Sequence, residues 1–115
     1  MLWENVIGQQ EIKNKLQQSI KDGRISHAQL FSGPEGSGTL ALAIAYAREV
    51  LCDLNNEQCN LKVDKLQHPD LHFSFPYSAT ESVKKPLAKY LLNDWRTFVD
   101  ENVYGNLTDW MSHLG

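Results

Sequence analysis

The sequence has few of the features that mark secreted, membrane-bound or disulfide-rich proteins. Its 115 residues include only two cysteines, too few for a disulfide scaffold, and we expect a cytosolic environment to keep both reduced. No stretch approaches the roughly 20 apolar residues that span a membrane. The first residues also lack the basic and apolar parts of a signal peptide. We therefore expect a cytoplasmic protein with no membrane partner.

Positive charge is also scarce. Eleven lysines and arginines against 14 aspartates and glutamates give a net charge of −3 and a pI near 5.7. Because contacts with phosphates dominate affinity for nucleic acids, this balance argues against a free-standing nucleic-acid binder. What the chain does have is apolar content, with 42% hydrophobic and 22% charged residues. These proportions are typical of one small globular domain.

Hydrophobic periodicity predicts four helices. The first runs from Gln9 to Lys21 and ends at Gly23, which suits a left-handed C-cap. The second runs from Thr39 to about Cys52 and is apolar on most sides, which predicts that it is largely buried. The third begins near Pro86 and carries the strongest amphipathic pattern in the chain. The last follows Asn106, a good N-cap residue.

Two apolar segments predict strands. Residues Ala28 to Ser32 are short and mostly apolar, as in a central parallel strand. Residues Leu71 to Phe75 alternate apolar and polar side chains, as in a half-buried strand. Strands that alternate with helices along the chain indicate an α/β fold class.

A glycine-rich loop, Gly33 to Gly38, joins the first predicted strand to the second predicted helix. In that setting, backbone N–H groups and a helix N-terminus can hold a phosphate. The full motif, G-x-x-x-x-G-K-[ST], adds a lysine for the outer phosphates and a hydroxyl for Mg²⁺. Here Thr39 stands at the lysine position and Leu40 at the hydroxyl position. We interpret the loop as a phosphate-binding loop that has lost hydrolysis; the alternative is a glycine-rich turn without that ancestry.

Cys52, Cys59, His68 and His72 form a candidate metal site. Thiolates and imidazoles are the ligands that zinc prefers, and the spacing C-x6-C-x8-H-x3-H would supply four of them. This spacing lacks the short C-x2-4-C pair that is usual in zinc sites. The alternative is a pair of free or buried thiols and two ordinary histidines.

Two sequence boxes together resemble those of bacterial clamp-loader AAA+ subunits. The first is Ile7-Gly8-Gln9, and the second, from Gly23 to Gly38, reads GRISHAQLFSGPEGSG. Those subunits carry a V/I-G-Q box, then G-R-x-x-H-A-x-L-F, then G-P-x-G-x-G. The resemblance extends from Val6 to about Cys52 and is greatest to the delta-prime branch, several members of which also have a degenerate phosphate loop.

This resemblance implies a partial P-loop NTPase domain of the AAA+ type, a three-layer α/β/α fold of which residues 1–115 form the N-terminal half. Residues 1–52 would hold a helix, a strand, the loop and the second helix. Residues 53–67 would be the remnant of a zinc-module insertion, and residues 68–115 would hold the second strand and the following helices. Neither a Walker B strand nor a Ser-Arg-Cys motif is present. Such a half-domain would leave strand edges unpaired, so we expect self-association or a loop-rich fold.

The function implied by the resemblance is that of a non-hydrolytic, stator-like subunit of the DNA polymerase III clamp loader, which is not an enzyme on its own. Its partners would be the other clamp-loader subunits and, through them, the sliding clamp and primed DNA. Two alternatives stay open: an ATP-binding AAA+ enzyme domain and a small interaction module of P-loop descent.

The site residues implied by the resemblance are scaffold positions rather than catalytic ones. No cofactor is expected: the missing lysine disfavours ATP. The family's zinc module has four cysteines, and Lys62 and Lys65 stand at two of those positions, which disfavours zinc. The candidate residues are Gly33, Gly36, Ser37, Gly38 and Thr39 in the loop, with Gly8, Gln9 and Arg24 near the expected adenine side.

Overall fold

The computed structural model describes residues 3–52, 56–76 and 88–114, which form five α-helices joined by turns and extended segments. The predicted start of the third helix, residues 86–87, lies outside this range. A short 3-10 turn, Trp3–Asn5, precedes the first helix. The helices are α1 (Gln10–Lys21), α2 (Thr39–Leu51), α3 (Glu57–Asp64), α4 (Ala88–Asn102) and α5 (Leu107–Leu114). Helix α2 lies at the centre and contacts α1, α3 and the 3-10 turn.

Local capping explains where several helices begin and end. Gly23 has a φ of 67°, and the N–H groups of Gly23 and Arg24 donate to carbonyls in the last turn of α1. This left-handed C-cap is the one that the sequence predicts. At the start of α5, Asn106 and Asp109 each accept a hydrogen bond from the other's backbone N–H at 2.9 Å. This reciprocal capping fixes the start of α5.

Neither predicted strand is formed in the described part of the chain. Residues 28–32 and 71–76 have no regular secondary structure, and no backbone hydrogen bond among the described residues joins residues 28–32 to another segment. Leu30, predicted to be central in a sheet, is 91% exposed. A strand is stable only when its backbone hydrogen-bonds to a neighbouring strand. The described residues form no strand that could pair with these two segments. The described part of the chain is helical, and the α/β fold stays a prediction.

The larger of two cores is aromatic and lies between α4, α5 and the extended segment 71–76. Trp95 stacks on Phe75 with ring centroids 4.8 Å apart, and Trp110 meets Trp95 edge-on at 5.1 Å. The apolar stripe predicted for α4 is buried at Leu91, Trp95, Phe98 and Val99. This stripe is therefore a core face, as its periodicity predicts.

The smaller core joins α1, α2 and the chain before α1. It contains Val6, Ala41, Leu42 and Ala45. On α1, Ile12 is largely exposed, whereas Lys13 is buried and its Nζ donates to the carbonyl of Val6. The long lysine stem covers apolar surface while its charge finds an acceptor, so the buried stripe of α1 differs from the one that periodicity predicts. Among the described helices, none is both long and apolar enough to cross a membrane.

Candidate functional site

The glycine loop turns the chain sharply into the start of α2. Gly36 and Gly38 have φ values of 79° and 89°, in the left-handed region that favours glycine. The N–H of Ser37 donates to the carbonyl of Pro34 at 3.1 Å, which closes the turn. Gly38 is the N-cap of α2 and provides no side-chain acceptor. The first-turn N–H groups of α2 therefore lack a side-chain cap, as in a loop that binds an anion.

The inside of the loop is tightly packed around Ser37. A Cβ at Gly33 would lie 2.6 Å from Ser37 Oγ, so a larger residue there would require the serine side chain to move. The Ser37 hydroxyl is buried and has no hydrogen-bond partner in the described part of the chain. Thr39 is half-buried as the first residue of α2, and Leu40 packs against the aromatic core. The two positions that hold lysine and a hydroxyl in the full motif are thus half-buried here, and Leu40 packs on the core.

The mouth of the loop is covered by residues that follow α4. The ring of Tyr104 lies against Gly38, where an added Cβ would come 2.6 Å from Tyr104 Cε1. The Tyr104 hydroxyl accepts a hydrogen bond from the N–H of Ile7 at 2.8 Å. Asn106 Nδ2 donates to Glu35 Oε2 at 3.1 Å. A cleft of about 210 Å³ remains between the loop and residues 103–107.

The residues proposed for the adenine side are only partly brought to the loop. Gln9, in a left-handed conformation with φ 58°, helps to line a second cleft of about 440 Å³ that also includes Ser37, Gly38 and Thr39. Gly8 precedes it and is exposed. Arg24 is exposed and lines neither of the two clefts at the loop.

Tyr104 and Asn106 are the site residues that the sequence does not reveal. Residues Asn102 to Gly105 interrupt the helical pattern, and Asn106 is recognisable as an N-cap. Both signals are local, and neither relates these residues to a loop more than 60 positions earlier in the chain. A tyrosine in a helix–helix connection is a weak signal by itself.

The two cysteines are joined in a disulfide, so the expectation of reduced thiols is wrong for this structure. Cys52 ends α2 and Cys59 lies in the first turns of α3, with Cα atoms 5.7 Å apart. This separation of the Cα atoms is within bridging range. Asn56 caps α3 by accepting from the N–H of Cys59 at 3.0 Å, which holds that cysteine in place.

Three of the four candidate metal ligands come together. One ligand atom each from Cys52, Cys59 and His68 lies within 4.8 Å of the others. His68 Nδ1 accepts a hydrogen bond from the N–H of Asp70. His72 is exposed in the extended segment and is not part of this group. Zinc binds thiolates, so sulfurs bonded to each other cannot serve as its usual cysteine ligands.

Comparison with protein families gives a match over residues 8–100 to the family described as DNA polymerase III, delta subunit. The chain belongs to this family. The matched range includes the glycine loop, Gln9 and the Cys52–Cys59–His68 group, and it ends before Tyr104. The resemblance to clamp-loader subunits that the sequence boxes indicate is thereby confirmed.

Individual relatives of this delta-subunit family member support the same assignment. DNA polymerase III subunit tau of Bacillus subtilis is 40% identical over 60 residues, covering 50% of this chain and 11% of the relative. DNA polymerase III subunit delta' of the same bacterium is 34% identical over 74 residues, covering 59% of this chain and 22% of the relative. The replication factor C small subunit of Methanocella arvoryzae is 49% identical over 47 residues, covering 41% of this chain and 14% of the relative.

The chain spans only 11% to 22% of the length of these three relatives. No solved structure matches it.

Proposed function

We propose that this chain acts as a non-hydrolytic, stator-like subunit of the DNA polymerase III clamp loader. In this role it supports the ATP-dependent loading of the sliding clamp by other subunits and does not itself turn over nucleotide. The family match and the tau and delta' relatives support the clamp-loader part of the proposal. The finer part, the absence of hydrolysis, depends on the chemistry of the loop.

The observation that carries the non-hydrolytic role is the pair Thr39 and Leu40 at the end of the glycine loop. Phosphoryl transfer needs positive charge on the outer phosphates and a ligand for Mg²⁺. Threonine supplies no charge, and leucine supplies no oxygen ligand. The nearby Glu35 adds a negative charge that would repel a triphosphate. The loop keeps its glycines and leads into the uncapped start of α2, but it lacks the groups that make a phosphate site catalytic.

The proposed partners are the other subunits of the clamp loader, with the sliding clamp and primed DNA reached through them. Neither ATP nor zinc is a cofactor in this proposal. The half-domain organisation of the AAA+ type, with residues 28–32 and 71–75 as potential strands, belongs to the same proposal. Exposure of Leu30 beside an unpaired extended backbone favours a segment that needs a neighbour.

The test combines calorimetry with assembly. The chain is titrated with Mg-ATP and, separately, mixed with the tau and delta subunits of a bacterial clamp loader and examined by sedimentation. We expect no detectable nucleotide binding and co-sedimentation with the other subunits. Mg²⁺-dependent binding at micromolar Kd would contradict the proposal and favour an ATP-binding AAA+ enzyme domain. Failure to join the complex would favour an interaction module outside replication.

A further inference from the structure

Three contacts from one short segment converge on the glycine loop. The segment is Tyr104–Asn106, between α4 and α5. Its tyrosine ring lies on Gly38, its tyrosine hydroxyl accepts from the N–H of Ile7, and its asparagine donates to Glu35. The three contacted residues lie at the start of α2, before α1 and in the loop itself. One segment therefore ties together the three parts of the chain that surround the mouth of the loop.

The position of Tyr104 matters because of what Gly38 does. Gly38 is the N-cap of α2, and an anion bound by this loop would approach the first-turn N–H groups of that helix. An aromatic ring in contact with Gly38 takes up space on this approach. The remaining cleft of about 210 Å³ is smaller than the roughly 300 Å³ at the lower end of small-molecule pockets.

The chemistry of the segment also disfavours a phosphate. Asn106 directs one of its two amide N–H donors to the Glu35 carboxylate, which places a negative charge at the mouth of the loop. The Tyr104 hydroxyl is anchored by the backbone N–H of Ile7. Tyr104 is also packed against the smaller core, which includes Ala41 and Leu42 of α2. The ring is thus held in place from both its polar end and its apolar faces.

We infer that the Tyr104–Asn106 segment occupies the mouth of the glycine loop and that Tyr104 closes this side of the loop, apart from the cleft of about 440 Å³ at Gln9, to phosphate groups. This inference rests on the proposed non-hydrolytic function and adds a second cause for it, independent of the missing lysine. The segment lies beyond residue 100, where the family match ends, so the match does not imply it. It follows that restoring the lysine alone leaves the loop closed.

The experiment compares two loop-restored variants by calorimetry with inorganic pyrophosphate and with Mg-ATP. The first carries Thr39→Lys and Leu40→Thr, and the second carries Tyr104→Ala in addition. We expect the triple variant to bind pyrophosphate at least about tenfold more tightly, since removing the ring frees the approach to α2. Equal affinity of the two variants, including no binding by either, would overturn the inference.

A matched control separates the ring from its hydroxyl. Tyr104→Phe in the loop-restored background keeps the ring on Gly38 and loses only the bond to Ile7. We expect this variant to stay closed to pyrophosphate. Tight binding by it would show that the ring does not exclude the anion.

A second measurement does not depend on the loop-restored variants folding. In the otherwise native chain, Tyr104→Phe removes the acceptor of the Ile7 N–H, so amide exchange at Ile7 is expected to rise roughly three- to tenfold. Unchanged exchange at Ile7 would contradict the docking of Tyr104.

The two proposals fail in different ways. Mg-ATP binding by the native chain contradicts the non-hydrolytic function. Pyrophosphate binding by the Thr39→Lys, Leu40→Thr variant that is insensitive to Tyr104 contradicts only the role of the segment.

Discussion

Arg48 of α2 holds Asp64 at the end of α3 with Nη1 and Oδ1 3.0 Å apart. The same guanidinium donates through Nε to Asn60 Oδ1 at 2.9 Å, so one side chain contacts α3 at two positions one turn apart. Arg48 is only 13% exposed, whereas Asp64 is 40% exposed. The ion pair is partly screened by solvent. The planar guanidinium, however, can contact Asp64 and Asn60 at the same time through two different nitrogens, which the single ammonium group of a lysine cannot do.

Arg48→Lys is expected to lower the free energy of unfolding by about 1 kcal/mol, because it keeps the charge and loses the second hydrogen bond. Urea denaturation followed by circular dichroism measures this. The matched control is Glu11→Gln, which removes an ion pair with Lys15 whose side chains are 84% and 76% exposed. That control should change stability by less than about 0.5 kcal/mol. An equal effect of both substitutions would contradict the anchoring role of Arg48.

The Cys52–Cys59 disulfide joins the same two helices across a sequence separation of 7. Cys59→Ser is expected to lower the free energy of unfolding by about 2–3 kcal/mol, because the unfolded chain is no longer constrained by a short closed loop. A phosphine reductant should destabilise the native chain by a similar amount and leave Cys59→Ser unaffected. Reaction of two free thiols in the denatured, unreduced chain would show that the bond is absent.

The disulfide and Arg48 both hold α3 against α2, so their effects should not add. We expect the double substitution Arg48→Lys, Cys59→Ser to cost less than the sum of the single substitutions, since α3 is already loosened once either link is gone. A double-mutant cycle by urea denaturation measures the coupling. Strict additivity would indicate that the two links stabilise separate parts of the chain.

Trp110 is 2% exposed at the centre of the aromatic core, and its Nε1 donates to the carbonyl of Pro76. Trp110→Ala is expected to cost about 3–5 kcal/mol, enough to unfold much of a small domain. Trp110→Phe should cost less, because it keeps the ring contact with Trp95 and loses the hydrogen bond. Thermal melts rank the two variants. A loss for Trp110→Phe as large as that for Trp110→Ala would assign the stability to the hydrogen bond rather than to packing.

Asn106→Ala removes the N-cap of α5 and is expected to lower stability by about 1 kcal/mol. Asn106→Asp keeps the cap acceptor and should retain most of the stability. Because Asn106 also donates to Glu35, the variant Glu35→Ala isolates that second contact. If Glu35→Ala costs as much as Asn106→Ala, the effect belongs to the loop contact and not to the cap.

Local signals in the sequence were sufficient for much of the secondary structure. The helix at Thr39–Leu51 begins where the glycine loop ends, and the helix at Leu107–Leu114 follows its predicted cap at Asn106. The helix at Glu57–Asp64 is absent from the sequence predictions, because its pattern is only weakly amphipathic. An apolar run predicts the strand at 28–32 and an alternating pattern predicts the one at 71–75, yet neither pattern supplies the neighbouring strand that makes a ladder.

The sequence by itself determined the family, the glycine loop and the replacement of its lysine and hydroxyl by Thr39 and Leu40. These are properties of residue type and spacing over fewer than 50 consecutive positions. They do not depend on how the rest of the chain folds. Only the tertiary structure decided that Tyr104 covers the loop, that Lys13 is buried against Val6 and that the two cysteines are bonded. The first depends on segments that are far apart in the chain, and the other two on how neighbouring elements pack; no local pattern specifies which side chain fills a given space.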